Sequence, residues 1–387
     1  MSNLTHLISR RSLVAGLGAM LTTGVAAQPF GPGHPPTGRI DQSDPGRLLG
    51  LQGAPRKSHV DVHMHLVGGR QGMFGEAVEG CVARMQEFGI TKGVVMGPPQ
   101  PPPGAFDASD FISELHRYGD RFAFLGGGGT LNPMLHAHHD PENVTSEVKQ
   151  EFVSAANRLL DDGAVGFGEI AVLHLSLVNR HPFEEVTSAH PLLSALAEVA
   201  ARRNAVIDLH MDPVTATDSM RTPSALKVPP NPPTIAGNIG GFERLLADNP
   251  GARVVWAHGG SDITGNLTPA LVGRLMDAHP NLFMSLRPVP PQANSANPFG
   301  LRFYNLILTP SGIEPDWLAL LRKHSDRFVI GSDSFFISPA ASTEGAAAML
   351  SRGNQGRLIA SATILSRLPP DLATKIATAN PVRIYRI

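Results

Sequence analysis

Eight short apolar runs recur along this 387-residue chain, and helical patterns separate most of them. Each run has the length and apolar character of a buried strand. Strands that alternate with helices form a parallel sheet, and a count of eight favours a closed (β/α)8 barrel of the TIM type. The predicted strands span residues 59–65, 92–96, 121–126, 164–169, 205–210, 253–258, 281–286 and 327–332.

A doubly wound open sheet is the alternative α/β architecture. No Gly-x-Gly-x-x-Gly follows an early strand here, although a dinucleotide-binding sheet would carry one. The glycine run 126–129 does follow a strand, but no helix pattern begins directly after it. We therefore favour the barrel, and we interpret the glycine run as close backbone packing near a site.

The predicted connections differ in length according to their direction. Those from helix to strand are tight, whereas those from strand to helix are long and rich in proline. In a barrel the strand-to-helix connections share the carboxyl-end face, where active sites are built. One proline-rich segment, 228–233, suits a lid or a contact between subunits of a homo-oligomer. The long connections span residues 97–107, 131–145, 211–240 and 287–314.

Residues that bind metals stand at or directly after the ends of five predicted strands. On the first strand, His63 and His65 alternate with apolar residues, so both imidazoles leave the same face. Imidazole and carboxylate groups are ligands of a borderline divalent metal, which favours zinc and also admits manganese, iron or cobalt. The sequence therefore predicts a metal site at the carboxyl ends of the strands. Its candidate ligands are His63, His65, Glu169, His210, His258 and Asp333.

Each candidate ligand taken alone also has a structural explanation. A histidine can bond to a carbonyl in the core, Asp333 can cap the following segment, and Glu169 can be a rim carboxylate. Their joint placement on ordered strands favours the metal site. Asp61 and Asp208 lie one layer deeper, where each either orients an imidazole or makes a structural hydrogen bond. Other histidines near predicted helix ends are expected to be solvated, namely His116, His279 and His324.

In this order the residues resemble the pattern of the amidohydrolase superfamily, the metal-dependent hydrolases with a (β/α)8 barrel, and of its amidohydrolase-related group. That family carries His-x-His on strand one, histidines on strands five and six, and aspartate on strand eight. The resemblance covers residues 58–387 and includes the closing Ala379-Asn380-Pro381. The matching residues are His63, His65, His210, His258 and Asp333.

The resemblance implies hydrolysis of a C–O or C–N bond by a metal-activated water, in a lactone, an amide or a similar small molecule. Asp333 would accept the proton of the water and pass it to the leaving group. The metal or His258 would polarise the substrate carbonyl. Arg287, which follows the seventh strand, either binds a substrate carboxylate or pairs with a loop acid.

Two arrangements of metal fit the same residues. In the first, one ion is held by four residues and His258 acts on the substrate; those four are His63, His65, His210 and Asp333. In the second, Glu169 bridges two ions, and His210 with His258 holds the second. Many single-metal members of the group lack an acid on strand four, so Glu169 favours a second ion. We expect one tightly held metal with a weaker second one.

Two other functions stay open from the sequence. Relatives in this group include decarboxylases of aromatic acids that use the same ligands, so a lyase for an aromatic or related carboxylic acid is the first alternative. The second is a non-catalytic exported binding protein that reuses the pocket. Loss of carbon dioxide without water uptake would favour the lyase. An Asp333→Asn substitution that leaves the phenotype intact would favour the binding protein.

The amino terminus has the features of an export signal. Arg10 and Arg11 precede the apolar stretch 13–27, which closes with small residues suited to cleavage. The arginine pair resembles a twin-arginine signal, which implies the twin-arginine export machinery as a partner and a periplasmic or otherwise exported enzyme. An ordinary secretory signal is the alternative, and the stretch is too short for a stable membrane span. The expected division is a signal at 1–27, a Pro/Gly-rich arm at 28–57 and a barrel at 58–387.

Composition narrows the classes of partner. The formal net charge is −1 and no long basic block occurs, so nothing indicates a nucleic acid. The single cysteine, Cys81, excludes a disulfide framework and a cysteine-based zinc site, and we expect it in a core. The expected partner is therefore a small-molecule substrate.

Overall fold

Eight parallel strands close into a barrel in the computed structural model, which describes residues 57–68, 73–100, 105–177, 182–290, 302–339 and 344–387. Each strand pairs with its neighbours in chain order, and Asp61 on the first strand pairs with Ile330 on the eighth to close the ring. The predicted TIM-type barrel is confirmed. The strands are β1 His59–Val67, β2 Ile90–Met96, β3 Phe122–Gly127, β4 Gly166–His174, β5 Val206–Met211, β6 Arg253–Gly259, β7 Leu282–Leu286 and β8 Phe328–Ile330.

The predicted signal and arm precede the part of the chain that the structure describes. Residues 1–27 and 28–56 lie outside it, and Lys57 and Ser58 lead directly into β1. Among the described residues, no helix combines the length and the apolar character that a membrane crossing requires.

Helices connect the strands and pack against the barrel. Two of them begin at a threonine whose hydroxyl accepts a hydrogen bond from a first-turn N–H. Thr145 accepts from Val148, and Thr268 accepts from Leu271. The helices are α1 Phe74–Phe88, α2 Ile112–His116, α3 Leu131–Ala137, α4 Ser146–Asp161, α5 Pro191–Arg203, α6 Ile239–Asp248, α7 Pro269–Ala278, α8 Pro315–Lys323, α9 Glu344–Arg367, α10 Pro370–Thr374 and α11 Asn380–Tyr385, with a π-helical turn at Lys375–Ala379.

The main hydrophobic core joins the strands to the helices around them. Trp256 on β6 is fully buried, and its ring centroid lies 5.2 Å from that of Phe242 on α6. Its Nε1 donates a hydrogen bond to the carbonyl of Met211 at the end of β5. Burying a large apolar side chain contributes about 1.5–3 kcal/mol, so contacts of this kind hold the strand ends in fixed positions.

The fourth strand is longer than predicted. It continues through Glu169 to His174 because residues 170–173 are apolar and buried. Its last two residues pair antiparallel with the short strand Glu184–Glu185. Glu169 therefore lies within β4 and not at its end, and His174 takes the position at the end of the strand.

The eighth strand is interrupted before Asp333. Residues Phe328–Ile330 pair with β7 and β1, and pairing with β1 resumes over Ser334–Ile337. A Cβ placed on Gly331 would lie 2.9 Å from the Cβ of His63, so the missing side chain allows this segment to approach β1. The interruption leaves Asp333 between two segments that the sheet holds in place.

The long connections predicted on the carboxyl-end face contain some regular structure. The segment 131–145 includes α3, because Leu131 and Leu135 are one helical turn apart and both are buried. The glycine run packs closely, as predicted: a Cβ on Gly128 would lie 2.1 Å from the carbonyl oxygen of Gly97. Two hairpins complete this face, formed by Ser219–Arg221 with Thr234–Ala236 and by Leu308–Thr309 with Gly312–Ile313.

The expectation that His279 and His324 are solvated is wrong. They are 8% and 7% exposed, whereas His116 is exposed as predicted. Each ring lies near a carboxylate on a helix: Nε2 of His279 is 3.9 Å from Glu243, and Nε2 of His324 is 3.3 Å from Asp277. Both rings are therefore buried beside a neighbouring helix, and a position near a helix end does not by itself predict that a histidine is exposed.

Candidate metal centre

His63 and His65 leave the same face of β1, and their Nε2 atoms lie 3.1 Å apart. Nδ1 of His65 donates to the carbonyl of Met96 on β2. Nδ1 of His63 lies 3.1 Å from Oδ1 of Asp208 on β5. A partner at Nδ1 fixes each ring and leaves Nε2 free to bind an ion, as in other metal-binding histidines.

Glu169 on β4 lies between two pairs of histidines. Its Oε2 atom is 3.5 Å from Nε2 of His63 and 3.4 Å from Nε2 of His65. Its Oε1 atom is 2.5 Å from Nδ1 of His210 on β5 and 3.1 Å from Nε2 of His258 on β6. The two oxygens of one carboxylate therefore face the two histidine pairs separately.

Asp333 lies on the side of the cluster that β1 and β7 border. Its Oδ1 atom is 3.3 Å from Nε2 of His65, and its Oδ2 atom is 2.8 Å from Nε of Arg287. Burial disfavours the carboxylate, but the charges of Arg287 and Arg357 outweigh it and hold the pKa of Asp333 well below its usual range. Arg287 thus pairs with an acid, and that acid is itself a candidate ligand.

Two of the candidate ligands have a backbone conformation that residues with a side chain rarely adopt. The φ angle is 75° at His258 and 56° at Asp333. Such left-handed conformations cost about 1–3 kcal/mol each and are concentrated at functional sites. Their occurrence at two members of one cluster agrees with a site in which side-chain placement outweighs backbone strain.

The donor set fits a divalent metal. The close nitrogens of His210 and His258 are 3.1 Å apart, as are those of His63 and His65. Nitrogens bound tetrahedrally to zinc at about 2.0–2.1 Å would be separated by about 3.3 Å. Three groups of three residues bring their ligand atoms close enough for one ion: His63, His65 and Glu169; Glu169, His210 and His258; His63, His258 and Asp333.

The charges of the cluster lead to the same conclusion. Burial disfavours a charged His210, but its contacts with Asp212 and Glu169 outweigh burial and raise its pKa to about 10. Buried carboxylates in this cluster therefore require positive charge, which bound protons provide when no metal is present. A metal ion supplies that charge while releasing the protons, which is the usual linkage of metal binding to pH.

The two aspartates one layer deeper differ in their contacts. Asp208 faces Nδ1 of His63, and the hydroxyl of Tyr385 lies 3.3 Å from its Oδ2. Asp61 accepts hydrogen bonds from the backbone N–H groups of His63 and Ser332, at 3.2 Å and 3.0 Å. Asp208 therefore orients a candidate ligand, whereas Asp61 makes a structural hydrogen bond between β1 and the segment after β8.

Sequence reasoning missed several residues beside the cluster. Nδ2 of Asn132, on α3, donates to the carbonyl of Glu169 at 2.6 Å, and its Oδ1 accepts from the N–H of Ala171 at 3.0 Å. The His174 ring centroid lies 4.7 Å from that of His210. No sequence signal indicates Asn132, whereas the apolar run after Glu169 could have extended β4 to His174.

Arg357 on α9 is the other missed residue. Its Nη1 donates to the carbonyl of Asp333 and lies 3.7 Å from Oδ2 of the same residue. Burial, together with the charge of Arg287, lowers the pKa of Arg357 to about 10 against the opposing charge of Asp333. The guanidinium therefore remains protonated at neutral pH.

A cavity of about 180 Å³ opens at this cluster, within the part of the chain that the structure describes. This volume lies below the roughly 300–1,000 Å³ of sites for drug-sized ligands, so it suits a smaller molecule. Charged and imidazole groups line one side, contributed by Glu169, His210, Asp212, His258, Arg287, Asp333 and Arg357. Apolar residues line much of the rest, namely Pro98, Pro99, Leu175, Leu177, Ile263, Phe303 and Phe335.

The chain is similar in sequence to one protein family over most of its length. The amidohydrolase family model matches residues 60–387. Amidohydrolase 2 from Bifidobacterium longum subsp. infantis is 12% identical, with a TM-score of 0.38 over 85% of this chain and 99% of that chain. A Xaa-Pro dipeptidase with bound methionine is 16% identical, with a TM-score of 0.41 over 85% of this chain and 75% of that chain. No curated protein matches the chain in sequence.

Proposed function

The chain belongs to the amidohydrolase family, and on that premise we propose that it is a metal-dependent hydrolase of a C–O or C–N bond in a small molecule such as a lactone or an amide. One observation carries the proposal. The cavity opens onto Glu169, whose two oxygens face separate histidine pairs, with Asp333 beside them. The donor set contains only nitrogen and oxygen atoms, which favours zinc and admits manganese, iron or cobalt.

We propose that the cluster would hold two ions and that Glu169 would contribute to both sites. His63, His65 and Asp333 would hold the first, and His210 with His258 would hold the second. The separate contacts of the two Glu169 oxygens support this arrangement over the single tightly held ion with a weaker second one. In the proposed arrangement His258 would be a ligand, so it would not act on the substrate directly.

The residues of this chain would then bind, orient and move a proton. When bound, divalent ions of this kind lower the pKa of water from 15.7 toward about 7 and polarise a carbonyl group. Asp333 accepts the proton of the attacking water at a carboxylate oxygen and passes it to the leaving group. Arg287 holds Asp333 by its Oδ2, so Oδ1 remains directed at the histidines.

Metal analysis and an oxygen-isotope experiment test the function. We expect purified protein to contain divalent metal, to turn over a member of a panel of lactones and amides, and to lose that activity on chelation and regain it with Zn²⁺. In H₂¹⁸O the product should carry one ¹⁸O atom. Release of carbon dioxide from an aromatic acid without ¹⁸O uptake would indicate a lyase instead. Protein with neither metal nor turnover would indicate a binding protein.

We also propose export of the folded, metal-loaded protein by the twin-arginine machinery, with the enzyme working in the periplasm or otherwise outside the cytoplasm. The arginine pair at 10–11 and the small residues that close the stretch 13–27 support this route. Replacing both arginines by lysine in the full chain should leave the precursor in the cytoplasm, measured by fractionation. Continued export of that variant would identify an ordinary secretory signal.

A further inference from the structure

Two guanidinium groups share one carboxylate at one end of the cavity. Nε of Arg287 lies 2.8 Å from Oδ2 of Asp333, and Nη1 of Arg357 lies 3.7 Å from the same atom. The two arginine side chains are only 13% and 27% exposed. In the described part of the chain, two largely buried cations therefore face a single anion, which leaves an excess of positive charge beside Asp333.

Arg357 is held in a fixed orientation. Its Nη1 donates to the carbonyl of Asp333, and its guanidinium carbon lies 5.6 Å from the centre of the Phe335 ring. A planar guanidinium that is already oriented loses little entropy when it binds, and its paired N–H groups match the two oxygens of a carboxylate. The guanidinium of Arg357 is thus already oriented to bind a planar anion.

The other charges around the cavity do not supply that anion. Among the described residues, Glu169 and Asp212 are the remaining lining carboxylates, and both contact His210, at 2.5 Å and 3.7 Å. Any divalent metal bound at the histidines would add further positive charge. The space beside the two arginines therefore favours a negatively charged group over a neutral one.

We propose that Arg287 and Arg357 bind the carboxylate of a small substrate, whose apolar body contacts the walls at Leu175, Ile263 and Phe335. This inference rests on the proposed hydrolase function, because a carboxylate held beside Asp333 would leave the scissile bond of the same molecule to face Glu169 and its histidines. Arg357 is then a specificity-determining residue. The substrate class is a monocarboxylic acid that carries an ester or amide bond in its apolar part.

Binding of benzoate, with benzamide as its neutral counterpart, tests this assignment without turnover. By calorimetry we expect benzoate to bind at least about 10-fold more tightly than benzamide. Arg357→Gln should weaken benzoate binding by about 10- to 100-fold, the loss typical of a hydrogen bond to a charged group. Benzamide binding should not change, which reports an intact cavity. The benzoate affinity of Arg357→Lys should lie between those of the parent protein and of Arg357→Gln. Arg202→Gln, on the exposed end of α5, should bind benzoate as tightly as the parent protein.

Each titration is repeated on chelator-treated protein, which separates this inference from the proposed function. Benzoate binding that persists without metal and depends on Arg357 supports the arginine site, whatever the activity proves to be. Benzoate affinity that is lost when the metal is removed and is unchanged by Arg357→Gln would indicate that the carboxylate binds the metal, and it would overturn the proposal. Absence of benzoate binding in both forms would overturn it as well, whereas absence of metal alone contradicts only the hydrolase function.

Discussion

Asp333→Asn should reduce the turnover of any substrate that the parent protein hydrolyses by about 10²- to 10⁴-fold, the usual contribution of a positioned acid or base. Asparagine has nearly the same shape, and it tolerates the left-handed backbone that Asp333 adopts at a φ of 56°. It has no carboxylate, so it cannot accept the proton of the attacking water. Steady-state kinetics measures the effect as a loss of kcat.

The same substitution also removes the only shared anion of Arg287 and Arg357 in the described cavity. An uncompensated pair of this kind should lower the free energy of unfolding by about 3 kcal/mol, so stability is measured by denaturation alongside kcat. Asp316→Asn, at the exposed start of α8, is the matched control and should change neither quantity. An Asp333→Asn protein that is folded, contains metal and keeps turnover within 10-fold of the parent would refute the proton-transfer role.

The barrel was predictable because its strands are nearly continuous apolar runs, as parallel strands buried on both faces require. The cluster was predictable for the same reason. Once the strands are placed, parallel packing brings their carboxyl ends together, and His63 and Asp333 meet although 270 positions separate them. The predicted end of β4 is too early because the charged Glu169 interrupts the apolar run, whereas the strand continues past it through Leu173.

Contacts that depend on helix docking were not predictable. Arg357 reaches Asp333 only because α9 packs beside the segment Ser334–Ile337, and nothing in the sequence around Arg357 marks that contact. Asp61 and Asp208 occupy equivalent depths on their strands, yet only Asp208 faces an imidazole nitrogen. A period-two pattern assigns each aspartate to a face of its strand but does not specify the atoms that it contacts there.

Glu169→Ala should reduce the metal content of the protein from two equivalents per chain to one. The Oε1 atom of Glu169 faces His210 and His258, and without it those two imidazoles alone would have to hold the second ion. Loss of a carboxylate ligand removes both a donor and a compensating charge, so affinity for that ion should fall by more than the about 10- to 100-fold typical of outer contacts. Elemental analysis after dialysis against a weak chelator gives the stoichiometry.

Glu184→Gln is the matched control for this experiment, because Glu184 is a buried carboxylate next to the end of β4 that belongs to none of the three groups of candidate ligands. It should retain two equivalents. The metal content of Glu169→Gln should lie between those of Glu169→Ala and the parent protein, because an amide oxygen can still coordinate an ion but carries no charge. One equivalent in the parent, unchanged in Glu169→Ala, would instead support a single ion held by His63, His65, His210 and Asp333, and Glu169 would then act only by orienting the histidines around it.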